Sequence, residues 1–169
     1  ESIATWERYD GSAFVPAVEV PDGINSNIVT ILSGHTVTIT GGIQSADQFV
    51  IEQGGTLFVA EGTFTVLSGP ATDMLLKGSL LMGGGTVFVN GSIGVTSTGH
   101  ISCGSGDLFS GNGFIDIASG GSMTILNFGP ANFTIDNGLI INNSGDMSFS
   151  GASGDLVMNG SETTINNSG

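Results

Sequence analysis

The side chains in this 169-residue chain that could do chemistry are few and scattered. Asp73, Asp107, Asp116, Asp136 and Asp155 stand beside short apolar runs, His35 and His100 each follow a glycine, and Cys103 is the single cysteine. Two carboxylates brought onto one face would be the equipment of a glycoside hydrolase, one acting as acid and the other as base or nucleophile. The simpler expectation for an Asp at a strand edge is that it accepts hydrogen bonds from backbone N–H groups in a turn. A lyase acting on acidic sugars needs Arg or Lys against the substrate carboxylate, and only Arg8 and Lys77 are present. Cys103 near His100 invites a nucleophile reading. Alternation along Ile101-Ser102-Cys103, however, turns Cys103 inward and His100 outward, which predicts a buried structural thiol. His35 and His100 are expected at similar places in their repeats but three coils apart, about 15 Å at strand spacing, too far to share an ion. The sequence therefore assigns no catalytic, cofactor-binding or metal-ligating residue. Calcium is the one cofactor kept open, because Asp and Asn crowd Asp136-Asn137 and Asn142-Asn143, although neither a Gly-Gly-x-Gly-x-Asp roll nor an EF-hand loop is present.

The elements that must position these residues come from an internal repeat. A short strand, a glycine turn and a second short strand recur: Val29-Thr30-Ile31 with Val37-Thr38-Ile39, Phe49-Val50-Ile51 with Leu57-Phe58-Val59, and Leu75-Leu76 with Leu80-Leu81-Met82. The series continues as Ile93-Gly94-Val95 with Ile101-Ser102-Cys103 and Ile115-Asp116-Ile117 with Met123-Thr124-Ile125. Weaker pairs close it, Phe133-Thr134-Ile135 with Ile140-Ile141 and Leu156-Val157-Met158 with Thr163-Thr164-Ile165. Gly34, Gly54, Gly78, Gly99, Gly120, Gly138 and Gly160 mark the turns, at gaps of 20, 24, 21, 21, 18 and 22 with a mean of 21. That period predicts an all-β fold, a parallel β-helix taken as right-handed, of about seven coils of roughly 21 residues. One coil cannot bury its apolar face alone, so coils stack and equivalent residues form ladders. Val37 and Ile39 should point inward and Thr36, Thr38 and Thr40 outward, with glycine supplying positive-φ corners. Further strands are expected at Phe64-Thr65-Val66, Val87-Phe88-Val89 and Met147-Ser148-Phe149. Gly83-Gly84-Gly85 and Gly104-Ser105-Gly106 lack the Lys-Ser/Thr of a phosphate loop and read as corners.

Residues 1–25 differ, holding Trp6, Tyr9 and Arg8 with turn signals at Asp10-Gly11, Pro16 and Asp22-Gly23. They read as a cap over the first coil, anchored by Trp6, with the solenoid running over 26–169. The start at Glu1 suggests signal cleavage or excision, and the stop at Asn167-Ser168-Gly169 predicts that the solenoid continues in a longer polypeptide. Charge narrows the partners. Fifteen acidic residues against two basic ones give a net charge of −13, which excludes nucleic acid and anionic membranes as natural partners. No apolar run is long enough for a transmembrane helix.

The Thr5-Trp6 opening, the run Val29-Thr30-Ile31-Leu32-Ser33-Gly34-His35-Thr36-Val37-Thr38 and the run Ile51-Glu52-Gln53-Gly54-Gly55-Thr56-Leu57 resemble the solenoid modules of large secreted Bacteroidetes surface proteins. The resemblance covers roughly residues 3–125. It implies export to the bacterial cell surface, often by type IX secretion, and a role in adhesion or surface coating with no catalytic residues. The expected function is thus a structural or adhesive scaffold module, not an enzyme, whose partners are the rest of a longer chain, surface glycans or secretion machinery. The alternatives are a carbohydrate-active β-helix domain and, through its threonine-rich outward faces, an ice-binding surface. The outward threonines do not recur coil to coil, since Phe58, Ser102 and Ile141 are expected at equivalent outward places.

Overall fold

The computed structural model describes residues 6–10, 12–19, 21, 28–126, 129–151 and 154–168. Thr5, Gly11, the Asp22-Gly23 turn and Gly169 lie outside the described residues. The chain is all-β and forms a parallel β-solenoid of about six turns with three faces. The first face stacks β3 (Val29–Ile31), β5 (Phe49–Ile51), β7 (Met74–Leu76), β10 (Ser92–Val95), β13 (Phe114–Ile117), β16 (Ile140–Asn143) and β19 (Thr164–Asn167), every neighbouring pair parallel. The second face is made by the first halves of β4 (Thr36–Ala46) and β6 (Thr56–Val66), then β8 (Ser79–Met82), β11 (His100–Gly104), β14 (Ser122–Leu126) and β17 (Asp146–Ser150). The third face takes the second halves of β4 and β6, then β9 (Thr86–Val89), β12 (Leu108–Ser110), β15 (Phe133–Ile135) and β18 (Leu156–Met158).

Alternation sets the interior. Val29, Phe49, Met74, Ile93, Ile115, Ile141 and Ile165 stand level with one another on the first face. The first six of these are buried, while Thr30, Asp116 and Ile140 face outward. Ile141 therefore points into the core and not, as expected, outward. Edge-to-face ring pairs, Phe49 with Phe64 at 5.2 Å and Phe109 with Phe133 at 6.1 Å, fill the space between the first and third faces and between successive coils of the third. A second apolar column supplies Ile31, Ile51, Leu76, Val95 and Ile117.

The register corrects the glycine pattern in two ways. Gly34, Gly54 and Gly120 lie in the turn between the first and second faces, whereas Gly138 and Gly160 lie between the third face and the first. The mean spacing of 21 thus mixed two corners; along the Val29 column the steps are 20, 25, 19, 22, 26 and 24 residues. Gly78 and Gly99 do not take positive φ. They belong to a separate column, Gly55, Gly78, Gly99, Gly121 and Gly145, each directly before the first residue of a second-face strand. A Cβ on Gly78 would collide with the Glu52 and Gly55 carbonyls, on Gly99 with that of Leu76, and on Gly145 with that of Gly121. Glycine is required there by close stacking of backbone on backbone.

At the other end, β1 (Glu7–Tyr9) and β2 (Phe14–Pro16) form an antiparallel hairpin whose turn is closed by Asp10 Oδ1 accepting from the N–H groups of Ser12 and Ala13 at 2.9 and 3.0 Å. Trp6 packs partly buried against the core, beside a cavity of about 30 Å³ lined also by Val29, Val37, Phe49 and Phe64.

Candidate functional site

The residues that could do chemistry resolve into corner staples and cross-coil ladders. Asp107 stands between the second and third faces and is almost fully buried. Its Oδ1 accepts from the Gly84 N–H of the preceding coil and its Oδ2 from Gly104, both at 2.6 Å. The two glycine runs, Gly83-Gly84-Gly85 and Gly104-Ser105-Gly106, are thus successive copies of one corner, and Asp107 joins them. Burial pushes its carboxyl above the usual range, opposed by the bonds from Gly84, Gly104 and Gly85. Cys103 is buried on the inner side of β11 beside this carboxylate. Desolvation first, and the Asp107 charge second, push its thiol well above the ordinary value, which removes thiolate character and nucleophilicity.

Asp73 performs the same duty where the chain enters the first face. Its Oδ1 accepts from Gly69 N–H at 2.6 Å, and its Oδ2 accepts from the N–H and hydroxyl of Ser92, one coil on, at 2.7 and 3.0 Å. A carboxylate that composition did not single out, Asp47, reaches the same corner. A methyl group on Gly69 would collide with Asp47 Oδ1 and stand 2.9 Å from Asp73 Oδ1. Asp47 Oδ1 is buried without a partner, as are Asp136 Oδ1 and Trp6 Nε1.

The remaining candidates do not converge. Asp116 is exposed on the first face, where Asn142 Nδ2 donates to it at 2.7 Å and Asn166 Nδ2 donates to Asn142 at 2.9 Å. Asn143, buried, donates to Asn167 at 2.9 Å and exchanges bonds with Gly145. Asn137 Nδ2 donates to Ser110 at 2.8 Å. The side-chain amides of Asn142 and Asn143 are thus engaged with Asp116 and with the asparagines of the next coil, and that of Asn137 with Ser110; among the described residues no three of His, Cys, Asp and Glu gather into a group that could hold a metal ion. Asp155 is exposed in the segment leading into β18.

The histidines are not equivalent. His100 is level with Thr56, Ser79 and Ser122 and bonds Ser122 through Nδ1 at 2.9 Å. His35 instead heads the glycine column, since Thr56 N–H donates to its carbonyl as Ser79 N–H does to that of Gly55. A side chain is tolerated at that first level because no coil of the described residues lies beneath it. Lys77 pairs with Glu52 of the previous coil at 3.0 Å, both about a third exposed. Sequence reasoning missed Asp47 and the role of Ser92; the Asp-Met-Leu-Leu run after Gly69 was the available signal for a staple. Among the described residues no helix is long and apolar enough to cross a membrane.

Stacked parallel strands, glycine columns and inter-coil staples define a solenoid repeat protein. No family model, curated protein or solved structure matches the chain.

Proposed function

We propose that this chain is a stiff scaffold module of a larger exported bacterial cell-surface protein, setting distance by coil number and carrying no catalysis of its own. The observation that supports this reading is the use of its two most buried carboxylates: Asp73 and Asp107 each accept one backbone N–H from their own coil, that of Gly69 or Gly104, and one from a neighbouring coil, that of Ser92 or Gly84, and a carboxylate so engaged is poorly placed to shuttle protons. The likeness of the Val29–Thr38 and Ile51–Leu57 runs to secreted surface solenoids supports export, type IX secretion and an adhesive or coating role. Rigidity follows from stacking, since each coil is fixed by its neighbours. Deleting residues 92–113 joins Gly91 to Phe114, the residue level with Ser92. The expected product is folded, shorter by about 4.8 Å along the axis, and unchanged in its lack of glycan turnover. Glycan cleavage by the intact chain that disappears in a folded Asp116→Asn variant would overturn the scaffold reading in favour of a carbohydrate-active one.

A further inference from the structure

The outward surface of the first face changes character at β13 and β16. In the earlier coils the outward level at mid-strand is held by Thr30, Val50, Leu75 and Gly94. At that same level the next three coils carry Asp116, Asn142 and Asn166. Two residues earlier on their strands, Phe114 and Ile140 stand outward side by side, 42% and 36% exposed. Both β13 and β16 have a paired strand on either side, so this exposure belongs to the face and not to an end of the solenoid. An apolar strip therefore runs along the axis beside a polar one, about 6.6 Å away along the strands, with successive members about 4.8 Å apart.

The polar strip is held in order by its own hydrogen bonds. Asn142 Nδ2 donates to Asp116 Oδ1 at 2.7 Å, and Asn166 Nδ2 donates to Asn142 Oδ1 at 2.9 Å. Each group keeps capacity beyond that bond, since Asp116 Oδ2, the second N–H of Asn142 and Asn166 Oδ1 are engaged in no hydrogen bond among the described residues. The strip thus offers an acceptor, a donor and an acceptor at coil spacing. Hydroxyl groups meet that pattern, because each gives one proton and accepts others. Side chains already fixed by their neighbours also lose little freedom when a ligand binds.

We propose that this face binds a neutral glycan, one pyranose ring laying its C–H face on Phe114 and Ile140 while its hydroxyl rim meets Asp116 and Asn142. The proposal rests on the adhesive part of the scaffold reading and gives it a location. Charge and backbone select the occupant. A net charge of −13, with Asp116 inside the strip, repels sulfated, sialylated and uronic acid glycans. One carboxylate falls short of the oxygen cage a hard cation takes. An extended peptide finds no strand edge to join, because β13 and β16 are paired on both sides. An uncharged ring with an apolar face and a hydroxyl rim fits both strips, the apolar contact supplying affinity and the polar row orientation.

The test is an array of neutral and anionic glycans probed with the intact chain, followed by titration of a retained glycan. Neutral glycans should be retained and anionic ones not. Phe114→Ala and Asn142→Ala should each weaken binding about tenfold, while Thr124→Ala, on the second face, should leave it unchanged. In the unsubstituted chain the side-chain NH2 signals of Asn142 and Asn166 should shift in NMR spectra as the glycan is added, a readout that does not depend on a variant folding. An array that retains no neutral glycan, a preference for anionic ones, or shifts confined to the other two faces would overturn the proposal and leave the scaffold reading, tested by coil deletion, in place. A chain that retains no neutral glycan but forms a dimer lost in Phe114→Ala would overturn it as well, making the face an interface between copies. Retention accompanied by release of shorter sugars would keep the binding site and overturn the scaffold reading instead.

Discussion

The coils up to Ile117 and the two that follow are built on the same backbone ladder over different interiors. In the column nearest the first corner, Ile31, Ile51, Leu76, Val95 and Ile117 give way to Asn143 and Asn167. On the second face the inward position held by the buried Val59, Cys103 and Ile125 becomes Phe149, 51% exposed. An open apolar groove lies there, bordered by Ile125, Phe149 and Leu156. The early coils are held by apolar side chains in both interior columns of the first face; the last two replace one of those columns with asparagines bonded to one another across the coils. The parallel register survives the change, so it is the backbone ladder and corner geometry that fix the path, while the interior fixes how firmly each coil is held.

The sharpest way to break that comparison is to hollow each region. Phe109→Ala removes a fully buried ring packed edge to face on Phe133 and should cost about 3–5 kcal/mol in denaturant unfolding. Phe149→Ala, on a half-exposed ring, should cost about 1 kcal/mol. Equal losses would mean that the last coil is packed as tightly as the middle.

Next in size are the glycines, where two physical demands hide behind one residue type. Gly99→Ala drives a methyl group into the Leu76 carbonyl and to 2.9 Å from Val95, an overpacking cost of about 1–3 kcal/mol. Gly34 has φ +79 with nothing within 4 Å of its would-be Cβ, so Gly34→Ala meets only left-handed strain of about 1–2 kcal/mol. Asparagine tolerates that conformation, so Gly34→Asn should recover much of the loss in thermal unfolding. Gly99→Asn should be worse than Gly99→Ala.

These two columns show where the sequence was legible. Strand alternation reads directly from Val29-Thr30-Ile31 or Ile101-Ser102-Cys103, because a period of two fixes which side chain is inside, and the all-β solenoid followed from it. The inward thiol of Cys103 was legible for the same reason, and the backbone-bonded Asp73 and Asp107 from the turn chemistry of an aspartate at a strand edge. Phase was not. The Phe133–Ile135 run followed by Ile140-Ile141 has the same wording as a first-to-second-face pair, yet it crosses a different corner, and only the pairing of Ile115 with Ile141 reveals this. Nor does sequence separate a glycine that needs positive φ from one that needs contact with a carbonyl of the previous coil. Residues that follow one another give no sign of what lies beneath them, so His100 was matched to His35 when its true level is that of Ser79 and Ser122.

A pH titration separates the hairpin from the coils by sign. Asp107 is raised from 3.8 chiefly by burial, so between that value and its folded value the native state holds the proton the unfolded chain has released. Stability from this group therefore falls as pH rises through that window and is flat above it. Asp10 is lowered from 3.8 by the Ala13 and Ser12 N–H groups, so its contribution is present above 3.8 and is lost as pH falls through its folded value. Carboxyl chemical shifts followed by NMR should give midpoints on opposite sides of 3.8, and Asp107→Asn should flatten the mildly acidic part of the stability curve. Coincident midpoints would remove the distinction.

The smallest effect tests whether amides and aliphatics are interchangeable in the interior column. Asn143 is buried, donates to Asn167 and to the Gly145 carbonyl, and accepts from Gly145 N–H. Asn143→Leu extends the aliphatic column by one residue but strands those partners, and should cost about 1 kcal/mol. Removing both members of a hydrogen-bonded pair is far gentler than removing one, so adding Asn167→Leu should bring the double variant to within about 0.5 kcal/mol of the parent. A double variant that loses as much as the sum of its singles would show that Gly145 is the partner that matters. The amide would then serve to close the corner ahead of β17, and the change from aliphatic to asparagine in the last coils would belong to the turn and not to the core.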